Sequence, residues 1–201
     1  MTKPAAAFCV LVLVDRGVLA LDDPVARWWP EFAQAGKGRV TIRQALSHQA
    51  GLVAVREPQP PAAILDWEHA CRLLAAEEPW WEPGAGHGEH ALFYGHICGE
   101  LVRRSDGRSL GRFWRDEVAV PWGLDFHIGL AEEELERTVD LEGEPATRDD
   151  EMHRLALANP PGLLADPQLG LAQAYVTRRL AGHERAEAMD ASVRSVVAVP
   201  R

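Results

Sequence analysis

Three histidines close together in the sequence are the first candidates for chemistry. His87 and His90 stand three residues apart in the segment His87-Gly88-Glu89-His90, and His96 follows shortly after. Imidazole is a common metal ligand, and residues three apart share one face of a helix. No cysteine or carboxylate pattern nearby completes a recognisable site. We therefore interpret them as loop histidines and predict no metal and no cofactor.

A hydroxyl and an imidazole stand next to each other at Ser47 and His48. A serine nucleophile needs its base within hydrogen-bond reach. Adjacent residues in a helix point in different directions, so this pair cannot provide that geometry. We interpret both residues as structural.

Paired tryptophans occur twice, at positions 28–29 and 80–81. Indole rings of this kind could line an apolar pocket for an acyl or ester group. Core packing explains the same residues about as well. Both interpretations stay open at the level of sequence.

The element that must organise the chain is an N-terminal helix. Pro4 precedes an uninterrupted apolar run over residues 5–14, and Gly17 stands where a helix of that length would end. Proline is tolerated in a first helical turn and glycine at a C-cap, so we predict a helix that begins near residue 1. A helix that is apolar on all sides is normally a central helix of a larger protein.

An apolar N-terminal run has two other interpretations. Ten residues are too few to span a bilayer as a helix. A secretory signal peptide would need a positive residue, an apolar region and a small-residue cleavage site, which Lys3, the apolar run and Ala20 imitate. Asp15 and Arg16 directly after the run fit a signal peptide poorly, so we favour the core helix.

The rest of the chain also favours helices. Capping residues start three of them, at Thr41, Asp66 and Ser109. After the first helix, we predict a short helical turn over 27–29, helices over 42–51, 67–77, 91–104, 110–118 and 166–180, and a helix followed by a loop in the acidic segment after residue 128. Strand candidates are restricted to residues 39–40 and 125–128. The sequence therefore predicts a mostly α fold.

Charge and cysteine content limit the partners and the surroundings. The 201 residues contain 21 Lys and Arg against 30 Asp and Glu, a formal net charge of −9. That balance argues against nucleic acid or an anionic membrane as a partner. Cys9, Cys71 and Cys98 are odd in number and form no CxxC pair. We predict buried thiols in a reducing, cytoplasmic compartment.

Six short stretches, in the same order, resemble the esterase-type branch of the serine β-lactamase and penicillin-binding protein superfamily. They are Lys3-Pro4 with the helix that follows, and residues 19–25, 40–52, 81–84, 94–101 and 125–130. The resemblance implies the helical half of the β-lactamase/transpeptidase-like α/β fold, with most of the sheet missing. It implies a single partial domain over 1-201, with the family motifs in 1-165 and a less diagnostic segment over 166-201.

The resemblance also implies catalytic and binding roles. Lys3 matches the lysine of the family's Ser-x-x-Lys element, which takes the proton of a serine three residues earlier. Tyr94 matches the tyrosine of a Tyr-x-Asn or Tyr-Gly-x element, and a neighbouring lysine would lower its pKa so that it acts as base and then as acid. His96 stands where asparagine often stands, and Trp81 begins a Trp-Glu-Pro-Gly match. Both are expected to bind substrate.

Two departures from the family pattern bear on activity. The serine would stand one position before Met1. The third family element, Lys-Thr-Gly or His-x-Gly, is expected on an edge strand in a later part of the chain. Residues 127–129 have its letters but fall in a segment that resembles another part of the family. We therefore expect the chain as given to be inactive or nearly so.

Two functions follow from the sequence. The first is a serine hydrolase truncated at both ends, whose full-length relative cleaves a small-molecule ester or amide through an acyl-enzyme. The second is a non-catalytic helical interaction module, which binds a partner or forms a homo-oligomer through the exposed face of its N-terminal helix. A start codon assigned too late is a further explanation of the first.

Overall fold

The computed structural model describes residues 2–57, 59, 61–138, 165–166 and 171–172. Within these residues helices dominate, which confirms the predicted mostly α fold. The α-helices are α1 (Thr2–Asp15), α2 (Ile42–Leu46), α3 (Trp67–Ala76), α4 (Tyr94–Asp106), α5 (Leu110–Trp114) and α6 (Val120–Trp122). A π-helical turn, Arg115–Ala119, joins α5 to α6.

Helix α1 is the centre of the packing. It lies against α4 and α5. Its buried residues are Ala5, Ala6, Cys9, Val10 and Leu13. The helix stops at a glycine with a positive φ of +70°, Gly17, whose N–H donates to the carbonyl of Val14 at 2.9 Å. The start in the first residues and the glycine stop are both as predicted from the sequence. Among the described residues, none of the helices combines the length and hydrophobicity needed to cross a membrane.

The segment between α1 and α2 is built from 3-10 turns at Val25–Arg27, Pro30–Ala33 and Lys37–Arg39. The predicted strand at residues 39–40 is wrong, because the chain forms only an isolated antiparallel bridge between Pro24 and Thr41 there. Lys37 is fully buried and donates to the carbonyls of Gln34 (3.0 Å) and Ala75 (3.1 Å) and to that of Glu77. Its ammonium thereby joins this segment to the C-terminal end of α3.

Helix ends agree with the sequence where local caps define them. Thr41 and Gln44 form the predicted capping box at the start of α2, and the Asp66 side chain accepts from the N–H of His69 at the start of α3. Helix α2, however, stops at Leu46 rather than Gly51. The chain turns at His48, whose φ is +61°, and an α-helix cannot continue through that conformation.

Two predictions near the C-terminal half are wrong. Residues 125–128 form no strand; they follow α6 as extended loop and bend. In place of the helix predicted over 166–180, Ala165–Asp166 (β1) pairs antiparallel with Leu171–Ala172 (β2). The other residues of that prediction lie outside the described part of the chain.

Helix α4 packs closely against α3 at one small residue, Gly99. A Cβ added at Gly99 would lie 2.4 Å from the Cη2 atom of Trp67, so only glycine admits the indole here. Gly95, four residues earlier on the same face, has no neighbour within 4 Å of its Cβ position. The close approach predicted from the two glycines therefore occurs at Gly99 alone, where it brings α3 and α4 together.

Candidate active site

A cleft of about 1140 Å³ opens where the first turns of α1 and α4 meet α5. Three of the four predicted site residues, Lys3, Tyr94 and His96, line it. The indoles of Trp67 and Trp114 supply much of its apolar wall. Lys3, Tyr94 and His96 therefore share one cleft, but the contacts of each side chain differ from expectation.

Lys3 lies in the first turn of α1 and is about one-third exposed. Its Nζ atom lies 3.0 Å from the Oε1 atom of Glu89, whose side chain is 17% exposed. Glu89 does not line the cleft itself; it contacts Lys3 from the loop before α4. Sequence reasoning missed this carboxylate because the segment 87–90 was weighed only as a metal site.

Tyr94 is buried at the first position of α4, with 4% of its surface exposed. Its hydroxyl donates to the carbonyl of Leu46 at 3.0 Å. Burial raises the pKa of this phenol, so the lowered pKa expected from a neighbouring lysine is wrong. The ring lies 4.6 Å from the imidazole of His48. These contacts join the start of α4 to the turn after α2.

His96 forms part of the cleft wall through stacking and a backbone hydrogen bond. Its ring lies 5.0 Å from that of Trp67, and its Nε2 atom lies 3.1 Å from the carbonyl oxygen of Ile64. Burial lowers its pKa, which favours a neutral ring that donates to that carbonyl. The ring is thereby fixed as part of the cleft wall beside Trp67.

Trp81 is not among the residues that line the cleft. Its indole N–H donates to the carbonyl of Gly86 at 3.2 Å. A Cβ added at Gly88 would lie 2.4 Å from Trp81 Cη2 and 2.6 Å from the Cγ1 atom of Val53. Trp81 therefore packs directly against the segment from Gly86 to His90, which we call the 86–90 loop.

His48 fixes the 86–90 loop from the other side. Its carbonyl accepts from the N–H of Gly88 and its Nδ1 atom accepts from the N–H of His90, both at 3.1 Å. These two hydrogen bonds flank Glu89. The adjacent Ser47 hydroxyl donates to the carbonyl of Arg43 at 2.8 Å and takes no part in the loop contact.

His90 is fully buried beside this contact, and neither ring nitrogen has a hydrogen-bond partner among the described residues. Burial, with a further contribution from the nearby His48 and Lys3, lowers its pKa to about 3. The ring is therefore neutral at physiological pH. Within the described residues no cluster of three or more His, Cys, Asp or Glu is placed to hold a metal ion.

The site can be compared with known proteins. A protein-family model described as Beta-lactamase matches residues 1–162. The esterase/beta-lactamase LipL of Mycobacterium tuberculosis is 34% identical over 129 residues, 64% of this chain and 30% of that protein. A penicillin-binding protein homolog from Caulobacter crescentus is 46% identical with a TM-score of 0.68, over 73% of this chain and 39% of that one. A family VIII carboxylesterase is 46% identical with a TM-score of 0.66, over 68% and 38%.

The matched region is a minor part of each relative. The chain spans 30–39% of the length of these three proteins. Both solved structures are 46% identical to this chain over the aligned residues, so the likeness includes side chains as well as backbone path. The site geometry described above lies within the residues that the family model matches.

Proposed function

The chain belongs to the beta-lactamase family, and from that premise we propose that it carries part of the active site of a serine hydrolase that cleaves carboxylic esters. The observation that carries the proposal is the place of Lys3, in the first turn of the buried helix α1 and in the wall of the cleft. The word esterase in the name of LipL and the carboxylesterase among the structures favour an ester over an amide.

The chemistry would begin at the N-terminal end of α1. A serine three residues before Lys3 would share its helix face, and that position lies outside the 201 residues. Amide dipoles at a helix N-terminus favour a developing alkoxide. The serine would attack the ester carbonyl, form an acyl-enzyme and release it to water, with Lys3 in the path of the proton.

Two further site residues keep their predicted roles as parts of this proposal, and the role of Trp81 changes. Tyr94 stays the candidate from sequence for a second proton carrier, and His96 for a substrate contact in the cleft wall. Trp81 would influence substrate binding only through the 86–90 loop, because its indole packs there. The cleft with its aromatic wall fits a small-molecule ester with an apolar acyl group.

The proposal is tested on the full-length protein that contains residues 1–201. We expect hydrolysis of p-nitrophenyl butyrate and a covalent fluorophosphonate adduct in the intact mass. Lys3→Met should lower kcat/KM by about 10²–10⁴, the usual contribution of a positioned proton-transfer group. Arg27→Met is the matched control, since Arg27 is an exposed cation paired with Asp23 outside the cleft. A wild-type protein with neither turnover nor adduct would overturn the proposal.

The same assay, applied to the 201 residues alone, tests the prediction that this stretch is inactive by itself. No serine of these residues precedes Lys3. Measurable turnover with a fluorophosphonate adduct on the isolated stretch would contradict it.

The non-catalytic interaction module is the second candidate. It is favoured by an exposed apolar group on one side of α1: Leu11 is 42% exposed, and Trp122, 62% exposed, lies 5.6 Å from the ring of Phe8. Such a surface would bind a partner chain or a second copy. Analytical ultracentrifugation tests it, and a monomer that captures nothing would remove this candidate.

The proposed compartment and partners follow from charge and thiols. Cys9, Cys71 and Cys98 are free and buried, in keeping with the proposal of a reducing, cytoplasmic setting. The net charge of −9 supports a small-molecule substrate over nucleic acid.

A further inference from the structure

We propose that Glu89, rather than Tyr94, is the group that exchanges protons with Lys3 and the serine during ester cleavage. This inference rests on the proposed function and adds a catalytic residue that the sequence motifs do not indicate. It also assigns Tyr94 to the positioning of that residue. Three observations carry it: the contact of Glu89 with Lys3, the commitment of the Tyr94 hydroxyl elsewhere, and the way the 86–90 loop is held.

The first observation is the ion pair. Glu89 Oε1 lies 3.0 Å from Lys3 Nζ, within the distance at which a proton passes between two groups. An ammonium held by a carboxylate has no lone pair with which to accept a proton, whereas the carboxylate keeps several. Of the two, Glu89 is therefore the base. With 17% of its side chain exposed, it is also open to the water that must end the reaction.

The second observation is that the Tyr94 hydroxyl is already used. It donates to the carbonyl of Leu46 and is almost fully buried. A phenol that donates to a backbone carbonyl cannot accept a seryl proton until that hydrogen bond breaks and the phenol ionises. Burial raises the pKa of Tyr94, which opposes such ionisation.

The third observation is that the contacts of Tyr94 converge on Glu89. Tyr94 holds Leu46 through its hydroxyl and packs its ring on His48. His48 in turn binds the N–H groups of Gly88 and His90, on either side of Glu89. A residue fixed through both neighbouring backbone amides presents its side chain in a restricted direction, as a catalytic group requires. Tyr94 thus acts through His48 and is a positioning residue.

The proton balance of the reaction closes with Glu89 as carrier. In acylation the seryl proton passes to the Glu89 carboxylate, directly or by way of the Lys3 ammonium, while Oγ bonds to the carbonyl carbon. The C–O bond to the alcohol then breaks, and the alcohol leaves with that proton. In deacylation a water gives its proton to Glu89, its oxygen bonds to the acyl carbon, and Oγ leaves with the proton. No other reactant is needed.

The test compares Glu89→Gln with Tyr94→Phe in the full-length protein. Glutamine keeps the size of the side chain but accepts no proton, so kcat/KM for an alkyl butyrate should fall by about 10²–10⁴. Tyr94→Phe should lower it by less than about tenfold, in line with the loss of one neutral hydrogen bond. Glu82→Gln is the control, because Glu82 is an exposed glutamate earlier in the chain that does not line the cleft, and it should equal the wild type.

A change of leaving group separates proton transfer from a structural role. An alkoxide must be protonated as it leaves, whereas p-nitrophenolate leaves as the anion. With the alkyl ester Glu89 serves as base towards the serine and as acid towards the alcohol, whereas p-nitrophenyl butyrate needs it only as base. The loss in Glu89→Gln should therefore be larger for the alkyl butyrate than for p-nitrophenyl butyrate. Formate should partly restore the alkyl-ester activity of Glu89→Ala by supplying the missing carboxylate.

Each outcome decides between the two proposals. Wild-type activity with an unchanged Glu89→Gln, or with equal losses on both esters, overturns the role of Glu89 and leaves the hydrolase standing. A large loss in Tyr94→Phe with little loss in Glu89→Gln returns the role to Tyr94. A wild type without turnover or adduct overturns the hydrolase and this inference with it.

Discussion

Two carboxylates near helix α4 have very different surroundings. Glu100, within the helix, is 1% exposed and accepts from Trp67 Nε1 at 3.0 Å, from Arg103 Nε and Nη2 at 2.8 and 2.7 Å, and from Arg104 Nε at 2.6 Å. Glu89, in the loop before the helix, is half-buried and pairs with Lys3 at a single distance of 3.0 Å. Both are acidic residues beside cations, and only one is saturated with donors.

The number of hydrogen-bond donors around a carboxylate decides whether it can serve as a structural link or as a proton carrier. Burial raises the pKa of Glu100, but the hydrogen bonds from Arg103, Arg104 and Trp67 outweigh it and bring the pKa to about 2. Four donors occupy the two carboxylate oxygens, so this carboxylate joins α3 to α4 and keeps no free acceptor position for a proton. Glu89 keeps acceptor capacity and access to water, which a proton carrier needs.

The largest expected effect on stability is at Glu100, the carboxylate that accepts four hydrogen bonds. Glu100→Gln removes the charge that two arginines face, and breaking such a buried pair on one side should lower the free energy of unfolding by about 3 kcal/mol. Urea denaturation of the full-length protein measures it.

The same substitution at the other carboxylate sharpens the contrast. Glu89→Gln breaks a partly exposed pair and should change the free energy of unfolding by less than about 1 kcal/mol. Equal destabilisation at the two positions would show that Glu89 is structural as well, and the comparison would fail.

A substitution at Gly88 tests how the 86–90 loop holds Glu89, and its expected effect on stability is smaller than that at Glu100. Gly88→Val would place a side chain against Trp81 and Val53, where even a Cβ lies within 2.6 Å of both. We expect overpacking of about 1–3 kcal/mol and a displaced 86–90 loop, with loss of activity. Gly95→Ala is the control for stability alone, because its Cβ position is empty but lies in the cleft wall, and alanine in a helix is favoured by about 0.5–1 kcal/mol. A stable, fully active Gly88→Val protein would contradict the role of the loop.

A dependence of stability on pH separates the surroundings of Glu89 from those of Glu100. The pKa of His90 falls from 6.5 to about 3 on folding, so the unfolded chain binds more protons between these values and stability is lost as the pH falls through that window. The stability that Glu100 contributes is fully present above its ordinary pKa of 4.5 and is lost only as the pH falls below that value, so Glu100 adds to the slope only there. Between pH 6.5 and 4.5 the slope of the unfolding free energy therefore comes from the histidines whose pKa values burial lowers, His48, His90 and His96, and each contributes at most about 1.4 kcal/mol per pH unit.

His90→Leu should flatten that slope and raise stability at acidic pH, because it also removes two unpartnered buried nitrogens. Chemical denaturation at pH 6.5, 5.5 and 4.5 measures it. His127→Leu serves as the control, since that ring lies outside the buried cluster beside Asp125. An unchanged slope in His90→Leu would show that His90 is not among the groups that titrate.

Sequence reasoning succeeded where the determinants are neighbours in the chain. Thr41 and Gln44 bond to each other across one turn, with the Thr41 N–H donating to Gln44 Oε1 at 3.0 Å, and the cap at Asp66 is equally local. The place of Lys3 follows from the proline, the apolar run and the glycine stop of a single helix. These signals need no knowledge of the rest of the fold.

The missed features depend on contacts between distant parts of the chain. Helix α2 ends early because the following residues bond to the loop before α4, with the N–H of Trp80 donating to Gly51 at 2.8 Å and that of Gly84 to Gln49 at 3.0 Å. The approach of Glu89 to Lys3 depends on the same docking. No periodicity in the sequence indicates such a contact. The role of Glu89 could therefore be found only from the positions of the segment after α2 and the loop before α4.

The contact between His48 and the 86–90 loop can be followed by hydrogen exchange, because His48 accepts hydrogen bonds from the backbone amides of Gly88 and His90. Backbone amides held in this way exchange slowly with solvent deuterons until the contact opens, and the free energy of that local opening can lie well below that of global unfolding. The two amides, at 3.1 Å from their acceptors, therefore report whether the site is assembled independently of whether the helices are folded. Ligand fragments that close the cleft would be detected as slower exchange at these two positions, before any substrate is known.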